Sequence, residues 1–385
     1  MTGIGNYSFH LLKALIGACP ELEYHGFGRI SWSRFDASTI RGIEQRQNKG
    51  ETTVDPNVRQ KLIAAARRTA SRSSVARTLY RAMHATAFAQ TVRHQSLDLF
   101  HALNFIPPAD PGVVTLPIVY DLSFERFPAT HPKERLDWLK RLPAVIAKAP
   151  LIQTISEFSR NEIAVVYGYP RDKIFVAPPA PAAIFRPLGL EATQRGLATL
   201  ALAPRAYLLA VGTLEPRKNL GTLVAAYAAL APAERARAPL VIAGGAGWGN
   251  VGLPKQASAL VQDGSLRFVG MVPDARLRDL YEGAIALLFP SLYEGFGMPV
   301  VEAMSCGAPV IHSTGTSMDE ISAELGVRLD ATDGAAWTDA MRHAIDAAQA
   351  EATPDVRQQR IAQARSFDWT TSAQRVRAAY TTLLA

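Results

Sequence analysis

Two glutamates and two glycines lie within nine residues of one another in the last third of the 385-residue chain. Glu294 is followed by Gly295 and Gly297, and Glu302 comes a little further on. Glycines expose backbone N–H groups, and Pro299 suits the first turn of a helix, whose positive end binds anions. The carboxylates lack partners for a metal site and are better suited to accept hydrogen bonds from sugar hydroxyls. The predicted ligand-binding segment is Gly295, Phe296, Gly297, Met298, Pro299, Val300 and Glu302.

Two adjacent cations form a second candidate group. Arg217 and Lys218 follow Gly212 and Thr213, directly after the predicted strand Tyr207–Val211. Side chains at such a strand-to-helix turn point into the crevice of an α/β sheet. When a bond to a diphosphate leaving group breaks, negative charge grows on that group, and fixed cations stabilise the transition state more than the ground state. The pair therefore predicts a diphosphate site.

Three glycine-rich turns complete the candidate site. Gly244, Gly245 and Trp248 follow the next predicted strand, and Val269 ends the one after it. Near the start of the chain, Gly3 and Gly5 precede an apolar-periodic run, 7–16, that predicts a helix. Glycine lets the backbone approach a ligand closely, so these turns are expected to line the ligand site.

Short apolar strands alternate with helical patterns through most of the sequence. Such alternation predicts parallel sheets with right-handed crossovers, and strands without polar alternation are typical of sheets buried on both faces. We predict an α/β fold of two Rossmann-like domains facing a cleft, residues 1–190 and 191–366, with a terminal helix at 367–385 that crosses back to the first. Nine strands are predicted: 97–101, 117–120, 151–154, 174–177, 207–211, 240–243, 266–269, 284–289 and 309–312.

The first Rossmann-like domain lacks an expected element. A strand should precede the glycine turn at residue 3, yet only Met1 and Thr2 stand there. We interpret this as a start assigned too far downstream, and expect upstream codons to encode five to ten β-branched residues.

The bulk composition narrows the class of protein. The chain is 48% hydrophobic and 19% charged, as in globular proteins, and no stretch reaches the roughly 18 apolar residues of a membrane span. Cys19 and Cys306 match no metal spacing. We expect a soluble, cytoplasmic protein.

The net charge of +7 favours anionic partners. Residues 56–95 are rich in arginine, and form either a basic helix bound peripherally to the anionic inner face of a membrane or a solvated helix face.

Taken together, these residues resemble the family 4 glycosyltransferases, which have the GT-B fold. The strongest part is the motif of two glutamates separated by seven residues, Glu294 and Glu302. Supporting segments are 212–219, 244–248, 269–270, 307–309 and 154–159, the last containing Ser156.

The resemblance implies a retaining, metal-independent transfer with no cofactor beyond a nucleotide-diphosphate sugar. Glu294 would contact the donor sugar and Glu302 the ribose, while Arg217 and Lys218 would hold the diphosphate. Gly3 and Gly5 would approach it from the other domain. The acceptor, a glycan or a polyprenyl-linked glycan, would occupy the first domain.

One departure concerns the donor sugar. Relatives often carry a sugar-contacting histidine where Tyr120 stands; Tyr120, Asp121 or His101 are the candidates to replace it, and Ser156 is a further candidate for a sugar or acceptor contact. The sequence Leu-Glu-Pro-Arg-Lys-Asn at 214–219 resembles mannosyl- and rhamnosyltransferases of surface polysaccharide and lipopolysaccharide assembly. GDP-mannose is therefore the first donor candidate.

Four other interpretations remain at this point. A dinucleotide-dependent oxidoreductase would suit the glycine turns, but the third spaced glycine is missing. A nucleic-acid binder would suit the charge, but aromatic residues are not clustered with the basic run. A GT-B protein without catalytic activity is compatible with Tyr120. A phosphorylase-like enzyme would need a longer chain and a lysine placed for pyridoxal.

Overall fold

The structure is a computed structural model that describes residues 3–28, 31–48, 82–90, 92, 96–348 and 354–385. Of the basic segment 56–95, only residues 82–90 and 92 are described, and they are helical. The rest of that segment, on which the predicted membrane contact depends, lies outside the described residues.

The second half of the chain folds around a parallel sheet of six strands. In space the strands run β9-β8-β7-β10-β11-β12, so the chain starts at the centre, moves to one edge, and returns to fill the other side. This is the doubly wound order of a Rossmann fold. The strands are β7 (Leu208–Val211), β8 (Leu240–Ala243), β9 (Leu266–Gly270), β10 (Leu287–Phe289), β11 (Val310–Ser313) and β12 (Val327–Leu329).

The first half contains a smaller parallel arrangement. β3 pairs with β4 and β5 with β6, and a bridge between Ile118 and Gln153 joins the two pairs. An antiparallel hairpin, β1 with β2, stands apart from them. The strands are β1 (Tyr24–Gly28), β2 (Ser31–Phe35), β3 (Leu99–Ala102), β4 (Val114–Pro117), β5 (Ile152–Thr154) and β6 (Ile174–Val176).

Helices connect the strands in both halves of the chain. They are α1 (Gly3–Ala18), α2 (Ala37–Asn48), α3 (Ser123–Arg126), α4 (Lys133–Leu139), α5 (Leu142–Lys148), α6 (Glu157–Tyr167), α7 (Leu190–Ala198), α8 (Leu220–Ala228), α9 (Pro232–Arg237), α10 (Ala257–Gln262), α11 (Asp274–Gly283), α12 (Met298–Ser305), α13 (Met318–Ser322), α14 (Gly334–Ala347), α15 (Pro354–Arg365) and α16 (Trp369–Leu384). Short 3₁₀ turns lie at Pro128–Thr130, Arg171–Lys173, Pro216–Lys218 and Ala323–Leu325. The predicted α/β class with two Rossmann-like halves is confirmed.

The last helix packs on the first half of the chain. The Trp369 ring lies 5.3 Å from the Tyr7 ring of α1, and the Ser372 hydroxyl donates to the Pro178 carbonyl at 2.6 Å.

Glu282 of α11 fixes the segment that precedes α7. Its carboxylate accepts hydrogen bonds from the backbone N–H groups of Leu188 and Gly189. Both contacts join parts of the chain that are distant in sequence.

Two sequence predictions need correction. Gly3 and Gly5 do not form a turn before a helix, because α1 already begins at Gly3. β4 occupies Val114–Pro117 rather than 117–120. The chain beyond β4 nevertheless stays beside β5, since Val119 N–H donates to the Gln153 carbonyl at 2.9 Å.

A cavity of about 490 Å³ lies in the first half, beside β3. It is bounded by Leu11 and Leu15 of α1, by Tyr24 of β1, and by Leu99 and His101 of β3. None of the residues that line the cavity belongs to β4. A strand before α1 stays a prediction.

Candidate functional site

The candidate site lies where the chain reverses its direction across the six-stranded sheet. β7 and β10 are neighbours, but β8 follows on one side and β11 on the other, which opens a crevice beyond their carboxyl ends. Arg217 and Lys218 follow β7, and Glu294 follows β10. The topology therefore brings together side chains that are 76 residues apart in sequence.

These three side chains form a compact ionic cluster. A single carboxylate oxygen of Glu294, Oε1, lies 2.6 Å from the Lys218 Nζ and 2.9 Å from the Arg217 Nη1. Glu215 holds Arg217 from the other side, with its Oε1 at 2.6 Å from Nη2. The Lys218 ammonium also lies over the Phe289 ring, 4.7 Å from its centre. These contacts hold both cations in place, which is the preorganisation that electrostatic catalysis requires.

Burial and charge act in opposite directions on this cluster. Burial raises the pKa of Glu294, but Arg217 and Lys218 outweigh that effect and lower it to about 2. Burial also lowers the pKa of Lys218, and Glu294 opposes the change. Glu294 is therefore a carboxylate at neutral pH and can only accept hydrogen bonds.

A helix start lies next to the cluster. Gly297 takes a φ of 107°, a conformation that L side chains rarely adopt, and α12 begins at the next residue with Pro299 in its first turn. The Ser317 hydroxyl lies 2.8 Å from the carbonyl oxygens of both Glu294 and Phe296, which fixes the loop before the helix. The Val300 N–H donates to the Gly297 carbonyl and Pro299 has no N–H, so an anion at this helix start would meet the N–H groups before Pro299 and the positive end of the helix dipole.

Glu302 lies one turn further along α12. Its Oε2 accepts a hydrogen bond from the Tyr281 hydroxyl at 2.9 Å. Burial raises the pKa of the Glu302 carboxyl to about 8, although the Tyr281 hydrogen bond opposes this. Glu294 and Glu302 thus have opposite electrostatic environments, since cations hold Glu294 ionised and burial keeps Glu302 mostly protonated at neutral pH.

The glycine loops after β7 and β8 pack directly against each other. A Cβ atom at Gly244 would collide with the Gly212 carbonyl oxygen, and one at Gly247 would collide with the Leu214 carbonyl oxygen. The Leu214 N–H donates to the Gly245 carbonyl at 3.0 Å. These glycines therefore allow backbone-to-backbone contact beside Lys218. Val269, at the end of β9, packs at the edge of the main core.

The two halves of the chain meet at this site. The Tyr293 hydroxyl accepts a hydrogen bond from the Leu122 N–H at 3.1 Å, and the Trp248 indole donates to the Thr130 carbonyl at 2.8 Å. Asp121 lies against Gly295, where an added Cβ would stand 2.6 Å from the Asp121 Cβ. Of the residues predicted in the first half, Asp121 is therefore beside the ionic cluster.

Three other predicted contacts lie elsewhere or are already engaged. The Tyr120 hydroxyl donates to the Leu103 carbonyl at 2.8 Å, inside the first half. His101 is bonded through Nδ1 to the Tyr380 hydroxyl of α16, at 2.7 Å, beside the cavity described above. The Ser156 hydroxyl caps α6 by accepting from the Ser159 N–H. In this structure none of the three polar groups is presented to the ionic cluster.

Sequence reasoning missed several residues that shape the site. Glu215 lies two positions before Arg217, and its acidic character next to two cations was the available signal. Ser317 and Tyr281 are distant in sequence and carried no signal.

Within the described ranges, no group of three or more His, Cys, Asp or Glu residues could hold a metal ion. Among the same residues, no helix has both the length and the apolar character needed to cross a membrane.

Comparisons with known proteins identify the family of the chain. Residues 199–366 match the model of the family described as "Glycosyl transferases group 1". The chain is 34% identical to the O-antigen chain mannosyltransferase B of Escherichia coli over 377 residues, covering 96% of this chain and 93% of the relative. It is 29% identical to the D-inositol 3-phosphate glycosyltransferase of Acidothermus cellulolyticus, covering 63% of this chain and 55% of the relative.

A solved structure shares the fold. The Anabaena protein HepE, crystallised with UDP and glucose, superposes with a TM-score of 0.63 at 19% identity, covering 77% of this chain and 82% of that one. The resemblance noted in the sequence is thus confirmed, and the chain belongs to the group 1 glycosyltransferases.

Proposed function

We propose that this glycosyltransferase moves mannose from GDP-mannose to a glycan acceptor with retention of configuration and without a metal ion. The single observation that carries the proposal is the cluster of Arg217, Lys218 and Glu294 at the crevice between β7 and β10, beside the start of α12. The cluster combines fixed positive charge for a diphosphate with a carboxylate for sugar hydroxyls.

In the proposed reaction, the bond between the sugar C1 and the diphosphate oxygen breaks while the acceptor oxygen forms a bond to C1. The acceptor hydroxyl gives its proton to the departing diphosphate, so the enzyme needs no nucleophile of its own. Arg217, Lys218 and the N–H groups at the start of α12 stabilise the charge that grows on the diphosphate. Two fixed cations supply the charge that a metal would otherwise bring.

The two glutamates have separate proposed roles. Glu294, held ionised at any working pH, accepts hydrogen bonds from hydroxyls of the transferred sugar. Glu302, further along α12, accepts from the ribose. The two halves close over the substrate, with the hydrogen bond from the Trp248 indole to the Thr130 carbonyl joining them, and this excludes water from the reacting bond.

The relatives and the charge of the chain indicate the donor sugar and the acceptor. The relative named O-antigen chain mannosyltransferase B matches nearly the whole chain, which favours mannose as the sugar and a lipid-linked surface glycan as the acceptor. The net charge of +7 favours work close to an anionic membrane, and a cytoplasmic location would give access to the nucleotide sugar.

The experiment is a thermal-shift panel of UDP-, GDP- and dTDP-sugars, followed by turnover with the sugar nucleotide that stabilises most. A donor that binds only the native state raises the midpoint by mass action. We expect GDP-mannose to give the largest shift, and turnover to persist in a chelator. Stabilisation by another sugar nucleotide would correct the donor, and loss of turnover in the chelator would refute the metal-free mechanism.

A GT-B protein without catalytic activity is the second candidate, favoured by the engaged hydroxyl of Tyr120. Turnover decides between the two. Binding of a sugar nucleotide without release of the nucleoside diphosphate, across the acceptors tried, would support the inactive protein.

A further inference from the structure

His131 has a buried side chain with unused hydrogen-bonding capacity. It follows the 3₁₀ turn Pro128–Thr130 and precedes α4, and it is 9% exposed. The Ser123 backbone lies near the ring, yet neither Nδ1 nor Nε2 makes a hydrogen bond of normal geometry. Buried polar groups in native proteins nearly always have a partner, so an imidazole with none calls for one from outside the chain.

The ring lies near the ionic cluster, in the part of the first half that meets the second. It is within electrostatic reach of Asp121 from its own half and of Arg217 from the other half. The residue before it, Thr130, accepts the indole hydrogen bond of Trp248 across the cleft. A ligand between Asp121 and Arg217 would therefore lie beside His131.

The local chemistry selects the kind of ligand. Burial, followed by Arg135, lowers the pKa of His131, while Asp121 opposes this change. A neutral imidazole offers one N–H donor and one acceptor nitrogen. A hydroxyl group both donates and accepts, whereas a phosphate oxygen at neutral pH mostly accepts. The ring therefore matches a sugar hydroxyl better than a phosphate.

We propose that His131 binds a sugar hydroxyl on the first-half wall of the cleft, beside Asp121. The proposal rests on the glycosyl transfer proposed above and adds a substrate-binding residue to it. The hydroxyl belongs either to the transferred sugar or to the acceptor, and the experiment separates these two sources.

The test compares His131→Leu, which removes both polar groups, with His131→Gln, which keeps a donor and an acceptor. His343→Leu, a histidine on the outer helix α14, is the matched control. For each variant, kcat and KM are measured with GDP-mannose and with octyl α-mannoside as the acceptor probe. Hydrolysis of GDP-mannose without acceptor and the Kd of GDP are measured alongside.

We expect His131→Leu to lower kcat/KM at least about tenfold, since it removes hydrogen bonds made to substrate. His131→Gln should recover part of that loss, and the Kd of GDP should stay within about threefold of wild type. If the hydroxyl belongs to the transferred sugar, GDP-mannose hydrolysis falls as well. If it belongs to the acceptor, hydrolysis is unchanged and only the transfer to the mannoside is impaired.

Three results would overturn the inference. They are wild-type kinetics for His131→Leu, a loss of GDP affinity as large as the loss of kcat/KM, and a His131→Gln variant as impaired as His131→Leu. An active wild type with an unaffected His131→Leu overturns this inference alone. A wild type that neither binds nor turns over any sugar nucleotide overturns the proposed function, and this inference with it.

Discussion

Replacing Glu294 with glutamine tests how the ionic cluster is balanced. The pKa of this carboxyl falls from 4.5 to about 2 in the folded protein, and each unit corresponds to about 1.36 kcal/mol. Relative to the unfolded chain, the folded protein therefore stabilises the ionised form over the neutral form by about 3 kcal/mol. Because the folded pKa is depressed, this stability is present above pH 4.5 and is lost as the pH falls towards 2. Glu294→Gln mimics the neutral form at every pH and should lose about 2–3 kcal/mol at pH 7.

A nucleoside diphosphate should restore part of this loss. Glu294 contacts both Arg217 and Lys218, and Glu215 contacts Arg217 as well. A bound diphosphate brings negative charge to the same cations, so we expect GDP to stabilise Glu294→Gln more than wild type. Turnover should nevertheless fall strongly, because the contact to the transferred sugar is lost.

The assay is urea unfolding at pH 7 with and without saturating GDP, together with turnover of the native protein. Glu44→Gln is the matched control, since Glu44 pairs with Lys13 on the surface and its loss should cost no more than about 0.5 kcal/mol. The reasoning is refuted if Glu294→Gln is as stable as wild type, or if GDP stabilises it less than wild type.

Three further variants test other parts of the account. Glu282 accepts four hydrogen bonds with its side chain fully buried, so Glu282→Gln should lower the free energy of unfolding by about 3 kcal/mol; a change below about 0.5 kcal/mol in urea would be contrary to this. Glu302 has a folded pKa of about 8, well above 4.5, so the stability it contributes falls as the pH rises between those values. Thermal melts without nucleotide should show Glu302→Gln more stable than wild type at pH 8.5 but not at pH 4.5, and parallel curves would argue against the raised pKa. Gly244→Ala should cost about 1–3 kcal/mol and weaken GDP binding, because the added methyl meets the Gly212 carbonyl. The control Gly334→Ala, at the start of α14, meets no atom and should behave as wild type.

Much of the fold could be predicted from the order of apolar strands. Eight of the nine predicted strands overlap observed ones by three or more residues, because buried parallel strands are apolar along their whole length and differ clearly from helices. The ninth, 117–120, shares only Pro117 with β4. The hairpin β1–β2 was missed, since the sequence of β1, Tyr-His-Gly-Phe-Gly, is neither continuously apolar nor alternating. β12 was missed because it has only three residues and two of them are exposed.

The sequence also allows one to predict that Arg217, Lys218 and Glu294 lie close together. Each follows a predicted strand, and parallel strands place their carboxyl ends at one edge. The orientation of Tyr120 was not accessible in this way. The Tyr120 ring packs edge-on against the rings of Tyr7 and Phe105, with 5.3 Å between ring centres in each pair. In this orientation its hydroxyl donates to the Leu103 carbonyl. Such contacts depend on residues far apart in the chain.

The central claim, that fixed cations between β7 and β10 hold a diphosphate, is tested most directly by comparing the Kd values of GDP and GMP. Calorimetric titrations of wild type, Lys218→Gln and the surface control Lys13→Gln would give these values. We expect wild type and the control to bind GDP at least about tenfold more tightly than GMP, and Lys218→Gln to lose most of that preference, because charge-assisted hydrogen bonds to the second phosphate disappear. Equal affinity of wild type for both nucleotides, or an unchanged preference in Lys218→Gln, would contradict the claim.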